Sequence, residues 1–458
     1  MASRKKKSGR PVAAALAEIN ADVAGVDIGA TRHWVCCPTR EDGLANVRDF
    51  GSTTAELDAL VAWLVAERVT SVAMESTSVY WIPLYELLES RGIQAMLVDA
   101  RQVHNVPGRK SDVLDCQWIQ LLHSRGLFRG SFRPADAICR LRAYQRQMGN
   151  LVAERSKYVQ WMQKALDQMN VQVHRAVTDI TGETGMNIIR AIVAGERDPA
   201  KLAEFRNHRC KQTPARIAEC LTGTWREEHL FNLGSALEMY DMIEGQIAAY
   251  EKRLLDEVAA LSPPERVNEE VPPHPNPAKE RTIIRREGGP MRTGLWRLSG
   301  TDLSRIDGIS HNTAQTIVTE VGFDMSSFPT EKHFVSWLRL CPRLAISGGK
   351  PLRKRKNALG STRVAGALRM AAVTLNRSQT ALGAYYRRVS RHKGASVAVF
   401  ATARKLAQLV YRMLRYGQDY IDIGEAAFDA RFAQRRLDGM KQAAKDLGYD
   451  LIQLPIAG

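Results

Sequence analysis

Residues 23–30 read "VAGVDIGA", a short apolar run that ends in Asp, Ile and Gly, and this pattern predicts the first strand of a buried sheet. The segment "HWVCCPT" at 33–39 follows after one short turn and predicts a second strand. Helical spacing at 54–67 is followed by another strand pattern, "VTSVAMEST", at 69–77. Because this alternation continues to about Pro134, we expect an α/β domain with a central sheet.

The pattern changes to long helices from about residue 136. Apolar residues recur there at heptad spacing, and the same spacing returns in a second segment around residues 240–261. Such a pair of helices predicts either a helical hairpin within one chain or a coiled coil between chains, and the residues leave both open.

Two further segments precede the C-terminal helices. Residues 262–294 are dense in Pro and charged residues, which predicts a linker or a flexible insertion. Residues 303–322, "LSRIDGISHNTAQTIVTEVG", have the form helix, Ile-Asp-Gly-Ile turn, helix. A turn of this kind exposes backbone N–H groups at a helix start, which suits a phosphate oxygen.

The composition favours a polyanionic partner. The 458 residues include 65 Lys and Arg against 49 Asp and Glu, which gives a formal charge of +16. Nucleic acid is the first candidate and an anionic membrane surface the second. Since no apolar run approaches the ~18 residues of a spanning helix, we expect a soluble, intracellular protein. Seven cysteines without a C-x-x-C pair argue against a disulfide framework and structural zinc.

Four acidic residues suggest a cation site. Asp27 and Glu75 each lie at the end of a predicted buried strand, where a carboxylate is costly unless a cation or a donor compensates it. Asp112 and Asp115 are three residues apart and therefore share one face of the helix predicted at 111–122. Oxygen donors without Cys or His favour Mg²⁺ or Mn²⁺, which can promote phosphodiester cleavage.

Each of these acids also has a structural interpretation. Ser111 or Asp112 can cap the helix, Asp115 can be a solvated first-turn residue, and Asp27 can be a turn former before Gly29. The residues alone leave the two interpretations open. Just before this helix, Arg109 and Lys110 could hold a nucleic-acid phosphate.

A basic loop carries the second candidate site. Residues 345–362 read "AISGGKPLRKRKNALGST", in which Ser347 precedes two glycines that allow close backbone approach to another chain. Its basic residues are Lys350, Arg353, Lys354, Arg355 and Lys356. The loop can be a basic surface that touches phosphates, with Ser347 as a turn residue. Alternatively, Ser347 can be a nucleophile towards a DNA phosphate, with nearby cations stabilising the transition state.

These segments together resemble one family. "GVDIGATRHWV", "VAMESTSVYWIPLYELLESRG", "IDGISHNTAQTIVTEVG" and "FVSWLRLCPRLAISGGK" resemble, in order, the DEDD transposases of bacterial insertion sequences, the one-ten family. In "MESTSVYW" the family pattern leads us to expect a Thr-Gly pair after the Glu, and this chain departs from it. The resemblance implies an α/β, ribonuclease-H-like (RuvC-like) N-terminal domain, a helical coiled-coil segment and a mostly α-helical C-terminal transposase domain.

The expected organisation has six parts. They are a basic flexible arm at 1–20, the RuvC-like DEDD domain at 21–135, the coiled-coil segment at 136–261, the Pro-rich linker at 262–294, the transposase domain with a helix-hairpin-helix-like motif and the Ser-Gly-Gly loop at 295–420, and a tail at 421–458.

The resemblance also implies an activity and its residues. The four catalytic, metal-binding acids would be Asp27, Glu75, Asp112 and Asp115, and the nucleophilic serine would be Ser347, with Ser361 as its competitor. It implies donor and target DNA as substrates, a structured non-coding guide (bridge) RNA, a serine–DNA covalent bond, and a site shared between subunits of a dimer or tetramer. A bacterial, cytoplasmic and nucleoid-associated recombinase follows.

Two other functions compete with this one. A metal-dependent junction-resolving nuclease would use the four acids but no serine chemistry, so that Ser347 would only touch phosphate. A non-catalytic nucleic-acid-binding protein would use the acids as helix caps and turn residues.

Overall fold

The computed structural model describes residues 17–39, 46–76, 78–103, 111–285, 288–341, 346–347, 350–351 and 362–452. The chain divides into two compact units, Met1–Arg133 and Pro134–Gly458. No helix in the described ranges is both long and apolar enough to cross a membrane.

The N-terminal unit is built on a five-stranded sheet. Its strands are β1 (Val23–Ile28), β2 (Arg32–Cys37), β3 (Asn46–Gly51), β4 (Ser71–Glu75) and β5 (Gln94–Val98), in the order β3-β2-β1-β4-β5. Strands β1, β2 and β3 form an antiparallel meander, whereas β4 runs parallel to β1 and β5 parallel to β4. The helices are α1 (Thr54–Ala66), α2 (Trp81–Ser90), α3 (Ala100–Val103) and α4 (Asp112–Ser124).

The two faces of this sheet pack against different helices. Val26 and Met74 point to one face, where they share a core with Leu60 and Leu64 of α1 and with residues of α2. On the other face, Ala73 of β4 packs with residues of α4. This alternation follows from the two-residue period of a strand. The predicted α/β fold of the first domain is therefore confirmed at this level.

The C-terminal unit is mostly helical. Its helices are α5 (Asp136–Gln168), α6 (Val173–Ala176), α7 (Glu183–Val193), α8 (Pro199–Glu204), α9 (Pro214–Cys220), α10 (Glu227–Leu261), α11 (Pro277–Arg285), α12 (Gly289–Ser299), α13 (His311–Val321), α14 (Glu331–Trp337), α15 (Arg363–Thr374), α16 (Ala381–Lys393), α17 (Ala395–Tyr416) and α18 (Gly424–Asp446). Two short strands, β6 (Ile346–Ser347) and β7 (Lys350–Pro351), pair antiparallel.

The two heptad-bearing segments pair with each other inside the chain. The ion pair Arg155–Glu244 and the ring contact Tyr144–Tyr250 join α5 to α10. Tyr144 precedes Arg155 in α5, whereas its partner Tyr250 follows Glu244 in α10, so the two helices are antiparallel. The structure thus shows the helical hairpin, one of the two arrangements that the sequence left open.

The prediction of a linker at 262–294 is wrong for most of this segment. It contains α11 and the first half of α12, and the Arg292 side chain is only 4% exposed. Arg292 donates to Asp302 at 2.8 and 2.9 Å and also pairs with Glu280. His274 is buried nearby and hydrogen-bonds the Ser304 carbonyl. The Arg292 charge is compensated by Glu280 within the segment and by Asp302 beyond it, contacts that composition alone does not reveal.

Of the helix-turn-helix predicted at 303–322, the second helix is α13, whereas the first is only a 3-10 turn at Leu303–Arg305. Ile306 and Ile309 are fully buried and anchor the turn. Gly308 has φ +85°, a left-handed conformation that favours glycine. The Ser310 hydroxyl then caps α13 by accepting from the Thr313 backbone N–H.

Candidate active site

The sheet brings two of the predicted acids side by side. Val26 of β1 pairs with Met74 of the parallel strand β4, so the next residues, Asp27 and Glu75, are neighbours at the carboxyl ends of these strands. Since Val26 and Met74 face the α1 and α2 core, the following residues face the opposite side, where α4 packs. Both acids are half-buried.

Helix α4 brings the other two acids to the same face. A Cβ atom on Gly25 would lie 2.2 Å from the Gln120 backbone nitrogen, so α4 rests directly on β1 and requires glycine there. The helix begins where Ser111 accepts from the Leu114 N–H at 3.3 Å. This cap places Asp112 and Asp115 in the first turn.

The cap at Ser111 also decides which residue caps α4. Ser111 fills the N-cap position, so Asp112 is not needed there. The two aspartates still gain from the positive end of the helix dipole, which favours carboxylates in the first turn.

Asp27 lies within electrostatic reach of all three other acids. Burial and then the charges of Asp112, Asp115 and Glu75 raise its pKa to about 6. Like charges raise the pKa of a carboxyl only when they lie near it, so Asp112, Asp115 and Glu75 each lie near Asp27. We call Asp27, Glu75, Asp112 and Asp115 the acidic cluster.

The chemistry of this donor set fits a hard divalent cation. The acidic cluster offers carboxylate oxygens only, and the adjacent Cys116 does not add a soft ligand, because burial raises the pKa of its thiol to about 12. A cation would also relieve the mutual repulsion that raises the Asp27 pKa. In the described part of the chain, however, no three His, Cys, Asp or Glu side chains are gathered in a metal-holding arrangement.

The serine candidate lies on the β6–β7 pair. The backbones of Ser347 and Lys350 are opposite one another in an antiparallel ladder. Only the backbone of these two residues is described. The other predicted residues that lie outside the described ranges are Arg109, Lys110, Arg353, Lys354, Arg355, Lys356 and Ser361.

Sequence reasoning missed a second charged cluster, in the C-terminal unit. Glu320 of α13 is buried and lies among Arg142 and Arg146 of α5 and Arg363 of α15. We call these four residues the arginine cluster. Its α5 members are 174 and 178 residues from Glu320 in sequence, so no local pattern could have indicated it.

Comparison with protein families agrees with both halves of this architecture. A DEDD transposase family model of the IS110 type matches residues 24–171, which contain the whole acidic cluster. A second model, Transposase IS116/IS110/IS902 family, matches residues 300–387, which contain α13, the turn before it and Ser347. Together the matches cover more than half of the chain. The chain belongs to the IS110 family of transposases.

This family assignment confirms the resemblance drawn from the sequence. An IS110 transposase acts in the transposition of an insertion sequence, so DNA is its substrate. A search of curated proteins gave no match to the chain.

Proposed function

We propose that this IS110 transposase cuts and rejoins DNA with the acidic cluster and a serine nucleophile. The observation that carries the proposal is the arrangement of β1, β4 and the start of α4, which places Asp27 beside Glu75 and brings Asp112 and Asp115 to the same face of the sheet. Four acids brought together from two strands and a helix start exceed what capping and turn formation need. The N-terminal domain is ribonuclease-H-like, as in RuvC, and its meander followed by two parallel strands supports this fold.

The acidic cluster would hold Mg²⁺ or Mn²⁺. When bound, such an ion supplies Lewis-acid stabilisation of the charge that develops on the phosphate oxygens. The protein's own part is to fix the donors: β1 and β4 hold Asp27 and Glu75 in register, and the capped start of α4 holds Asp112 and Asp115. Arg109 and Lys110, which precede α4, orient the phosphate of the strand to be cut.

Ser347 is the proposed nucleophile, in preference to Ser361. Its hydroxyl oxygen forms a bond to phosphorus, the bond from phosphorus to one deoxyribose oxygen breaks, and that oxygen leaves with a proton. Rejoining reverses the step with the hydroxyl of a second strand. The position of Ser347 on a strand pair, opposite Lys350, supports this role. The basic run from Lys350 through Arg353, Lys354, Arg355 and Lys356 binds the phosphates beside it.

The assembly proposed around this chemistry contains a bridge RNA that pairs with donor and target DNA, and two or four copies of the chain. The net charge of +16 supports an extensive nucleic-acid partner. These elements follow from the family resemblance. The α5–α10 hairpin satisfies the heptads within one chain, so the heptads no longer count in favour of an oligomer.

A junction-resolving nuclease is the second candidate function. The observation in its favour is that the acidic cluster alone contains the residues such an enzyme needs. The two functions differ in their products: the recombinase leaves protein joined to DNA as an intermediate, whereas the nuclease releases free DNA ends.

The decisive experiment traps protein–DNA adducts from the full chain with its RNA and element-end DNA. We expect a denaturation-resistant adduct from the wild type and from Ser361→Ala, but not from Ser347→Ala. RNA and DNA binding by Ser347→Ala should persist, which excludes misfolding as the cause. An adduct in Ser347→Ala would contradict the serine assignment, and cleavage without any adduct in the wild type would favour the nuclease.

A further inference from the structure

The arginine cluster carries more positive charge than its buried acid needs. Glu320 has only 7% of its side chain exposed, and it faces three guanidinium groups, from Arg142, Arg146 and Arg363. One negative and three positive charges leave an excess of two positive charges. An excess of this sign on a partly exposed surface favours an anionic ligand.

Two of the arginines hydrogen-bond Glu320, Arg146 at the carboxylate and Arg142 at the backbone carbonyl. Arg146 donates from Nε to Oε1 at 2.9 Å and from Nη2 to Oε2 at 2.8 Å, a bidentate pair. Arg142 lies 3.4 Å from Oε2 and donates to the Glu320 backbone carbonyl. These contacts tie the last turn of α13 to α5.

Arg363 lies near the Glu320 carboxylate but does not hydrogen-bond to it. Its Nε lies 3.7 Å from Glu320 Oε1, which is within ion-pair range but too long for a hydrogen bond. Glu320 therefore attracts the Arg363 guanidinium without engaging its N–H donors. The Arg363 side chain is 47% exposed, so a ligand can reach it from solvent.

Helix α5 makes room for Arg363. A Cβ atom on Gly149 would lie 3.3 Å from Arg363 Nη1, which is a tight contact. Glycine in the interior of a long helix is destabilising relative to alanine. Gly149 thus sits at the place where the guanidinium passes over α5, and Glu320 lies near the same guanidinium.

We propose that Arg363 binds a phosphate of the DNA strand that the transposase cuts, and that Glu320 and Gly149 position it. Arginine suits this ligand because its planar donors match two phosphate oxygens. DNA is favoured because Arg363 begins α15 directly after the loop at 345–362, which carries Ser347. This inference rests on the proposed function for its choice of DNA over other polyanions. Arg142 and Arg146 are positioning residues, since each donates a hydrogen bond to Glu320.

The test measures binding of the full chain to a mixed-sequence DNA duplex and to an RNA hairpin in EDTA, so that no cleavage chemistry takes part. For Arg363→Gln we expect about tenfold weaker DNA binding at low salt. The slope of log affinity against log salt should become shallower by about 0.9 between about 50 and 200 mM, the value for one lost phosphate contact. The melting temperature should stay within about two degrees of the wild type.

Arg190→Gln is the matched control. Arg190 is also about half exposed and ion-paired, with Asp241, and its replacement removes the same charge. We expect it to leave the salt slope unchanged. Equal effects of Arg363→Gln and Arg190→Gln would mean that only net charge matters, and would overturn the proposal.

Gly149→Ala gives a second, independent test. Alanine should leave the helix equally or more stable, while its methyl group displaces the Arg363 guanidinium. We expect DNA binding several-fold weaker without loss of thermal stability. DNA binding at the wild-type level in both Gly149→Ala and Arg363→Gln would overturn the proposal. A loss confined to RNA would overturn the choice of DNA.

The result is separable from the proposed function. If the Ser347 adduct forms as expected but Arg363→Gln keeps the wild-type salt slope, only the Arg363 assignment fails. If no adduct forms but Arg363→Gln shows the shallower slope, the phosphate contact stands and the serine chemistry fails.

Discussion

The acidic cluster concentrates negative charge, and the arginine cluster concentrates positive charge. In the acidic cluster, three carboxylates lie near Asp27, and burial together with their charges raises the Asp27 pKa to about 6. In the arginine cluster, one buried carboxylate draws three guanidinium groups around it. Each cluster leaves a charge that these residues do not balance. The negative excess fits a cation and the positive excess fits a phosphate, and both are parts of a DNA-cutting reaction.

The two clusters also differ in what they contribute to the stability of the fold. The protein gains nothing from repulsion among the acids, whereas the Glu320 pairs hold three helices together. Mutating an acid should therefore remove activity and leave the fold intact or stabilised. Mutating Glu320 should weaken the fold.

The largest expected effect is on activity. Asp112→Asn should reduce DNA cleavage by a factor of about 10³ or more, because a cation-binding carboxylate is lost from the reacting site. Cleavage of element-end DNA in Mg²⁺ measures it, with circular dichroism to confirm folding. Asp58→Asn is the control, since Asp58 is an exposed carboxylate paired with Arg91 in the same unit. Equal activity of both variants would argue that Asp112 is only a helix-terminus residue.

The next effect is on stability. Glu320→Gln should lower the free energy of unfolding by about 3 kcal/mol, since removing one member of a buried ion pair leaves uncompensated charge. Urea denaturation monitored by circular dichroism measures this. Asp241→Asn, which breaks the exposed pair with Arg190, should cost less than about 1 kcal/mol. A loss for Glu320→Gln as small as that of the control would show that the arginine cluster does not hold α13 to α5.

The smallest expected effect is a gain in stability from Asp27→Asn, whose size depends on pH. The Asp27 pKa is raised from 3.8 to about 6, so the folded protein binds this proton more tightly than the unfolded chain does. Without divalent cations, stability should therefore fall as the pH rises through the range from 3.8 to about 6. Asp27→Asn should then be more stable than the wild type at pH 7.5, by about 1 kcal/mol after allowance for solvent screening.

The same comparison at low pH gives the control for this prediction. Near pH 4 the wild-type Asp27 is mostly protonated in the fold, so the stability difference between Asp27→Asn and the wild type should shrink. Adding Mg²⁺ at pH 7.5 should stabilise the wild type but not Asp27→Asn. A constant difference at both pH values would mean that repulsion within the acidic cluster does not act on Asp27.

The positions of the four acids could be singled out from local sequence patterns, although their approach to one another depends on the pairing of β1 with β4 and on the packing of α4 on β1. Strand ends fix Asp27 and Glu75, and the i, i+3 spacing fixes Asp112 and Asp115 on one helix face. The arginine cluster and the folded segment at 262–294 could not be predicted, because their partners meet only through tertiary packing. Arg292, for example, reads as a charge in a Pro-rich stretch, although Asp302 and Glu280 neutralise it in a buried site.

Cation binding by the acidic cluster is the most direct test of the proposed active site. Mn²⁺ binding to the full chain can be followed by electron paramagnetic resonance, in the wild type, in Asp58→Asn and in the Asp27→Asn/Asp115→Asn double variant. We expect the wild type and Asp58→Asn to bind Mn²⁺, and the double variant to lose both Mn²⁺ binding and DNA cleavage. Full activity and unchanged Mn²⁺ binding in the double variant would contradict the proposed active site and would favour a protein that binds nucleic acid without cutting it.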